Sequence, residues 1–310
     1  MADRLLVFAD AEVQKLLNEE FIAVAGDDWY QRKKKGDEGQ FYRKVVEQGP
    51  RKGNGTRQGH YVFTADGLLL GFNNNRGPER RLKMMLEALA KWKALPAAER
   101  TSKVAAVAKG DEQHRRTLPE GGQVVKVYTR ALEKKGDRLV ALGEDKVGNQ
   151  TAVDHLWLRK TELKELESLI AKGGGEFPDW FSKRVARFHL RDNTRGEPEE
   201  WRKEHILKWS LKVDSKGQVS GEFEMQKKEG KLGFQGAIKG ELAFEDGKLT
   251  RFDWLVLGDQ WGEGTYTRGA RSGKTPLGQV FQLTDASQPK DCIPPQSIRW
   301  EKGYWEAEKH

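Results

Sequence analysis

The chain has 310 residues, 36% hydrophobic and 33% charged, with 10 Trp and 13 Phe. That aromatic content excludes a disordered chain, which would be poor in such residues, and the length predicts about two domains or three small ones. The net charge of +8 favours encounters with anions, but it is diluted over the whole chain, where a dedicated nucleic-acid domain concentrates its charge on one face.

The chain start lacks the basic residues and the apolar run of about 7–15 residues that mark a secretory signal. No apolar stretch approaches the roughly 20 residues of a membrane span. The expected location is the cytoplasm, with export left open if a leader was removed. Asp10 is a good N-cap for a helix carrying Val13, Leu16 and Leu17 at helical spacing. Phe21-Ile22-Ala23-Val24-Ala25 follows, short and apolar enough for a buried strand, and Gly26-Asp27-Asp28 ends it. Arg32-Lys33-Lys34-Lys35 is the densest basic run, flanked by Asp27, Asp28, Asp37 and Glu38, and reads as a solvated loop. A helix is predicted over 40–48, with Phe41, Val45 and Val46 on its inner face. After the loop 49–55 comes a hairpin, 60–64 and 68–72, turning at Ala65-Asp66-Gly67. Pro78 opens a long amphipathic helix to about residue 93, with Leu82, Met85, Leu86 and Leu89 on one side.

The segments "DAEVQKLLNEEFIAVAGDD", "GHYVFTADGLLLGF" and "PERRLKMMLEALAKW" resemble, in that order, the later part of a thioredoxin-like domain. They match a helix feeding a parallel central strand, an antiparallel hairpin with Asp-Gly at its turn, and the helix that closes the sheet. The resemblance covers roughly 90 residues and implies a thioredoxin-like α/β unit over residues 1–94. Redox members of that superfamily carry a Cys-x-x-Cys pair at a helix N-terminus, where the dipole lowers the thiol pKa, and a cis-proline before the hairpin. Here no cysteine precedes Cys292, and Gly59 stands at the proline position. The resemblance therefore implies a redox-inactive domain without thiol–disulfide exchange.

A small α+β connecting region is expected over 95–175. It has strands at 124–132, 138–142 and 153–158, a helix from a Thr161 cap to Ile170, and a linker at Gly173-Gly174-Gly175. From 176 to 310, period-2 alternation dominates, as in Leu207, Trp209, Leu211 and Val213. Strands are predicted at 185–190, 205–213, 219–225, 232–238, 241–244, 249–257 and 279–283. The expected fold class is therefore α+β multi-domain, ending in an antiparallel β-sandwich or barrel.

Familiar catalytic signatures are missing. "GARSGKT" (269–275) has three residues, not four, between its glycine and Gly-Lys, and it leads into a strand rather than the helix a phosphate-binding loop needs; it reads as an exposed basic loop. The histidines, at 60, 114, 155, 189, 205 and 310, show no metal-ligand spacing, and no Gly-x-Ser-x-Gly occurs. Cys292, the only cysteine, sits beside Pro294 and Pro295 as a small packing residue and excludes an intrachain disulfide. No cofactor or metal is implied.

The stretches 187–201 and 257–270 mix charge, glycine and tryptophan at strand ends, where binding groups gather. Asp192, Arg195 and Glu197 are candidates for one cluster, and Asp259, Trp261 and Glu263 for another. If the two loops meet, Trp201 and Trp261 would wall a ligand pocket oriented by the carboxylates and Arg195. The bland alternative is loop-stabilising salt bridges under tryptophan caps. The expectation is a non-enzymatic binding or scaffolding protein with a protein or small-molecule ligand. One rival is an enzyme using these loops, with paired carboxylates for acid–base work and no catalytic residue assigned. The other binds anionic polymers, nucleic acid among them, through Arg268, Arg271 and Lys274.

Overall fold

A computed structural model of the chain describes residues 7–8, 10–53, 55, 57–75, 77–102, 117–143, 151–287 and 291–309; His114 and His310 lie outside them. The chain divides into two compact units, Asp3–Glu112 and Gln113–His310.

In the first unit, α1 (Ala11–Glu20) is capped as its sequence requires: the Asp10 carboxylate accepts from the amides of Glu12 and Val13, each at 3.0 Å. Two short helices follow, α2 (Asp28–Gln31) and α3 (Asp37–Val46), then the hairpin β1 (His60–Phe63) and β2 (Leu69–Asn73), and finally α4 (Pro78–Ala94) and α5 (Ala97–Arg100). Val13 of α1 packs with Met84 and Met85 of α4 in a small core that Phe21, Leu82 and Val62 border. Gly59 is required where it stands: a Cβ there would lie 2.2 Å from the Phe72 ring.

Two expectations fail here. Residues 21–25 form no strand; Ile22 and Val24 are 94% and 78% exposed. A buried parallel strand needs a neighbour on each edge, and the strands described in this unit, β1 and β2, pair with each other in a two-stranded sheet. On α4, Leu86 is exposed, and Arg81, Met84 and Ala88 are buried with Met85 and Leu89. Arg81 is accepted inside because its guanidinium donates to the carbonyls of Asn73 and Asn75; burial pushes its pKa down to about 10.

The second unit is built on one nine-stranded sheet. Its strands are β3 (Gln123–Lys135), β4 (Arg138–Ala141), β5 (Ala152–Leu158), β6 (Gly174–Glu176), β7 (Ile206–Asp214), β8 (Gln218–Lys227), β9 (Leu232–Glu245), β10 (Lys248–Trp261) and β11 (Thr275–Thr284). The order is β4-β3-β11-β10-β9-β8-β7-β6, with β5 also on β3, and every pairing is antiparallel. Among the described residues no pairing joins β6 to β4 or β5, so the strands form one sheet and not the two of the expected sandwich, and that sheet does not close into a barrel. One face packs on α6 (Lys160–Ala171) and α7 (Asp179–Arg184): Leu163, Leu166 and Phe181 meet Phe223, Phe234, Trp254 and Phe281. That asymmetry explains the alternation along the strands, apolar in and polar out.

Residues expected to form a separate connecting region supply β3, β4, β5 and α6 to this same structure. The predicted glycine linker is β6: Gly174 has φ +87°, and a Cβ on it would lie 2.3 Å from the Val213 carbonyl. Strands predicted at 232–238 and 241–244 are one strand, β9. The N-cap of α6 is Arg159 rather than Thr161, which puts Glu162 at N3, where its carboxylate accepts the Arg159 amide at 2.8 Å. Residues Val185–His189, predicted as strand, form a π turn closed by the Leu190 amide on the Val185 carbonyl at 3.1 Å. The final segment, with α8 (Glu301–Trp305), lies along β5, where Tyr304 Oη accepts the Trp157 amide at 3.2 Å and Asp154 accepts that of Gln296 at 2.8 Å.

Candidate functional site

The two polar loops meet. Arg195, three residues after Asp192, donates Nε to its carboxylate at 2.7 Å. Its other nitrogens cross to the second loop, to the carbonyls of Thr267 at 2.6 Å and Gly262 at 3.2 Å. Asp192 also accepts from the Thr194 amide and hydroxyl at 3.0 and 2.5 Å. The loops approach closely because glycine permits it: a Cβ on Gly196 would lie 2.0 Å from the Tyr266 carbonyl.

Beneath this clasp lies a cavity of about 30 Å3 bounded by Arg191, Asp192, Arg195, Glu199, Trp201, Lys227 and Gln260, among others. It has room for a water or two; organic-ligand pockets are roughly ten times larger. Trp201 is buried and donates Nε1 to the Leu190 carbonyl at 2.7 Å. Lys227 reaches Glu199 at 3.4 Å and the Glu200 carbonyl, with its ammonium 5.4 Å from the Trp201 ring centre. Burial lowers the Lys227 pKa against the opposing pull of Glu199.

Of the candidates, Asp192, Arg195 and Trp201 share this cavity, and Asp259, Trp261 and Glu263 do not line it. Trp261 donates to the Gly230 carbonyl at 2.7 Å and supports the Lys274 ammonium 4.3 Å from its ring centre. Glu263 is exposed and accepts the amides of Gly269 and Ala270, which hold its pKa down. Asp259 stands on the outward face of β10, opposite Gln235 and Pro276. Glu197 turns away to Arg299 at 3.5 Å. Cys292 donates its thiol to the Ala286 carbonyl at 3.0 Å.

The deepest polar cluster belongs to residues the sequence did not single out. His189, at the end of the π turn, contacts Asp154 through Nδ1 and Tyr304 Oη through Nε2, each at 3.2 Å. The Tyr304 oxygen already accepts the Trp157 amide. Its own hydrogen therefore serves Nε2, and Nδ1–H serves Asp154: a neutral imidazole in a closed chain. Desolvation lowers the His189 pKa despite the carboxylate. Burial would raise Asp154, but the hydrogen bonds from His189 and the Gln296 amide hold it below the usual range. Burial raises Tyr304.

Next to this chain, Arg184 and Glu162 form a fully enclosed pair, 2.7 and 3.0 Å across two bonds, and desolvation of Glu162 is outweighed by both neighbouring arginines, leaving its pKa low. Arg187 pairs with Glu200 at 2.9 Å, and Arg191 donates to the Pro198 carbonyl and the Ser297 hydroxyl. The available signal was four basic residues, Arg184, Arg187, His189 and Arg191, inside an apolar run. Reading 185–190 as a strand hid the turn that buries them.

At the opposite end of the strands, roughly 30 Å away by strand rise, an open groove of about 400 Å3 runs past Gln123, Arg251, Asp253, Gln282 and Asp285. Arg251 is held there by Asp253 at 2.8 Å and Glu241 at 2.5 Å. Among the described residues, no group of three His, Cys, Asp or Glu could hold a metal ion, and no helix is long and apolar enough to cross a membrane. A scan against protein-family models, a search of curated proteins and a search of solved structures each found no match.

Proposed function

We propose that the chain is a non-enzymatic binding or scaffolding protein that acts through its surfaces. It would couple a thioredoxin-like N-terminal unit without the dithiol to a β-rich C-terminal unit. The observation that carries this reading is the engagement of Arg195. Its Nε, Nη1 and Nη2 all donate to groups of the chain itself, Asp192 and two carbonyls of the facing loop. Beneath it lies space for water alone. The thioredoxin-like part rests on the hairpin, the closing helix α4 and the absence of cysteine before Cys292.

The enzymatic and polyanion readings have less to stand on. Of the three basic residues proposed for anions, Arg271 donates to the carbonyls of Leu132 and Pro276, and Lys274 to the Gln235 side chain. Only Arg268 of the three remains a plain exposed cation in this loop.

Arg195→Ala and Asp192→Asn separate the readings. Breaking a buried, hydrogen-bonded ion pair costs about 3–5 kcal/mol, so a binding protein held by this clasp loses several degrees in melting temperature. An unchanged melting temperature together with loss of a measurable turnover would overturn the proposal.

A further inference from the structure

Beyond Val124 and Trp157, which the final segment covers, the outward face of the sheet breaks its own pattern again. In an antiparallel sheet with one solvated face, outward positions are polar. Here four directly paired outward residues on successive strands are apolar or aromatic: Val153 on β5, Tyr128 on β3, Val280 on β11 and Leu255 on β10. Leu257, two residues along β10, widens the row and pairs with Gly278. Leu255, Val280 and Leu257 are 44%, 43% and 37% exposed. Contiguous exposed apolar groups on a sheet mark an interaction surface.

The register of charges around the row says what fits on it. Consider a two-fold axis parallel to the strands, above the seam between β10 and β11. It lays the sheet of a second copy over the first at ordinary sheet-packing geometry, about 10 Å apart and within about 30° of aligned. Each strand then meets its mirror partner about the seam: β10 over β11, and β9 over β3. In the central row, Leu255 of one copy falls on Val280 of the other, and Lys239, which pairs with Leu255, falls on the Tyr128 ring, where a cation is favoured. One row along, Leu257 falls on Gly278, whose missing side chain leaves room, and Arg130 comes beside Glu222, one strand further out. On the other side, Gln282 falls on Asp253, while Lys126 is already paired with Asp291 of its own chain and marks the edge of the open face. Apolar meets apolar and Arg130 meets Glu222, each contact occurring twice, as an isologous interface requires.

We propose that this outward face is a homodimer interface, occupied by the same face of a second copy. The inference rests on the reading of the chain as a surface-acting protein, and its test is independent of the Arg195 experiment.

Light scattering after size exclusion, or sedimentation, on the full chain from about 1 to 100 µM is expected to give about twice the 35.3 kDa chain mass. Leu255→Lys with Val280→Lys sets lysines against lysines and is expected to raise the dissociation constant about 100-fold or more, with an unchanged circular dichroism spectrum. Arg130→Glu weakens the dimer, and Arg130→Glu with Glu222→Lys restores it. Should the double lysine variant not fold, Leu255→Gln is read in the same way. A wild-type chain that stays monomeric over this range overturns the proposal. So does a dimer that survives the lysines, or a monomer destabilised by them, which would mean that another part of the same chain covers the face. In each of those cases the Arg195 result still decides the broader reading by itself.

Discussion

At the scale of single residues, the second unit rests on a few buried polar groups, each with a dedicated partner. Asp154, Glu162 and His189 all have pKa values below their ordinary range, so the unfolded chain binds protons more readily than the native one. The sign follows: stability is fully present above the unfolded pKa values and falls as pH drops through them. Loss begins near pH 6.5 with His189, helped by His155 and His205, whose pKa values burial also lowers. The carboxylates add a second loss below roughly pH 4. Melting temperature against pH is expected to fall in these two stages, and His189→Gln flattens the first. Glu162→Gln leaves the enclosed Arg184 without its counter-charge and is expected to cost about 3–5 kcal/mol, measured by denaturant titration. Burial raises the phenol of Tyr61 in the first unit to about 12, so its absorbance titrates late.

At the scale of elements, glycine positions decide geometry that composition misreads. Gly173-Gly174-Gly175 has the composition of a linker, but all three have positive φ and the middle one approaches the backbone of β7. Gly174→Ala is expected to lower stability by more than about 1 kcal/mol, since a side chain meets both the left-handed conformation and the Val213 carbonyl; a true linker would not notice the change. The π turn is the other such element. Its one-residue offset from a regular helix directs Arg184, Arg187 and His189 to separate buried partners, and π turns recur where local geometry is specialised. Deleting Ala186 would restore the ordinary helical period, turn each later side chain by about 100°, and is expected to abolish cooperative unfolding of this unit.

At the scale of the whole molecule, the two units have separate cores. The fragment 113–310 contains every strand of the large sheet and is expected to fold alone, with the two-stage acid sensitivity intact by circular dichroism. The four longest helices, α1, α3, α4 and α6, and the strands β3, β5, β7, β8, β10 and β11 were legible within a few residues, because amphipathic period and turn chemistry are local. The inner face of α4 was half legible: helical spacing named Met85 and Leu89 but not Arg81, whose burial depends on two carbonyls of the segment after β2.

The sequence by itself determined the longer helices and most of the strands, the absence of a dithiol before Cys292, the Asp10 cap and the polar character of the 187–201 and 257–270 loops. Each follows from residue identity or from neighbours a few positions away. Only the tertiary structure decided that these loops close on each other through Arg195, and that Asp154, His189 and Tyr304 form one chain. It also decided that residues 123–158 join the large sheet, and that Phe21–Ala25 form no strand. Those outcomes depend on pairings between residues up to about 150 positions apart, and burial of a polar group is permitted by its distant partner, which no local pattern encodes.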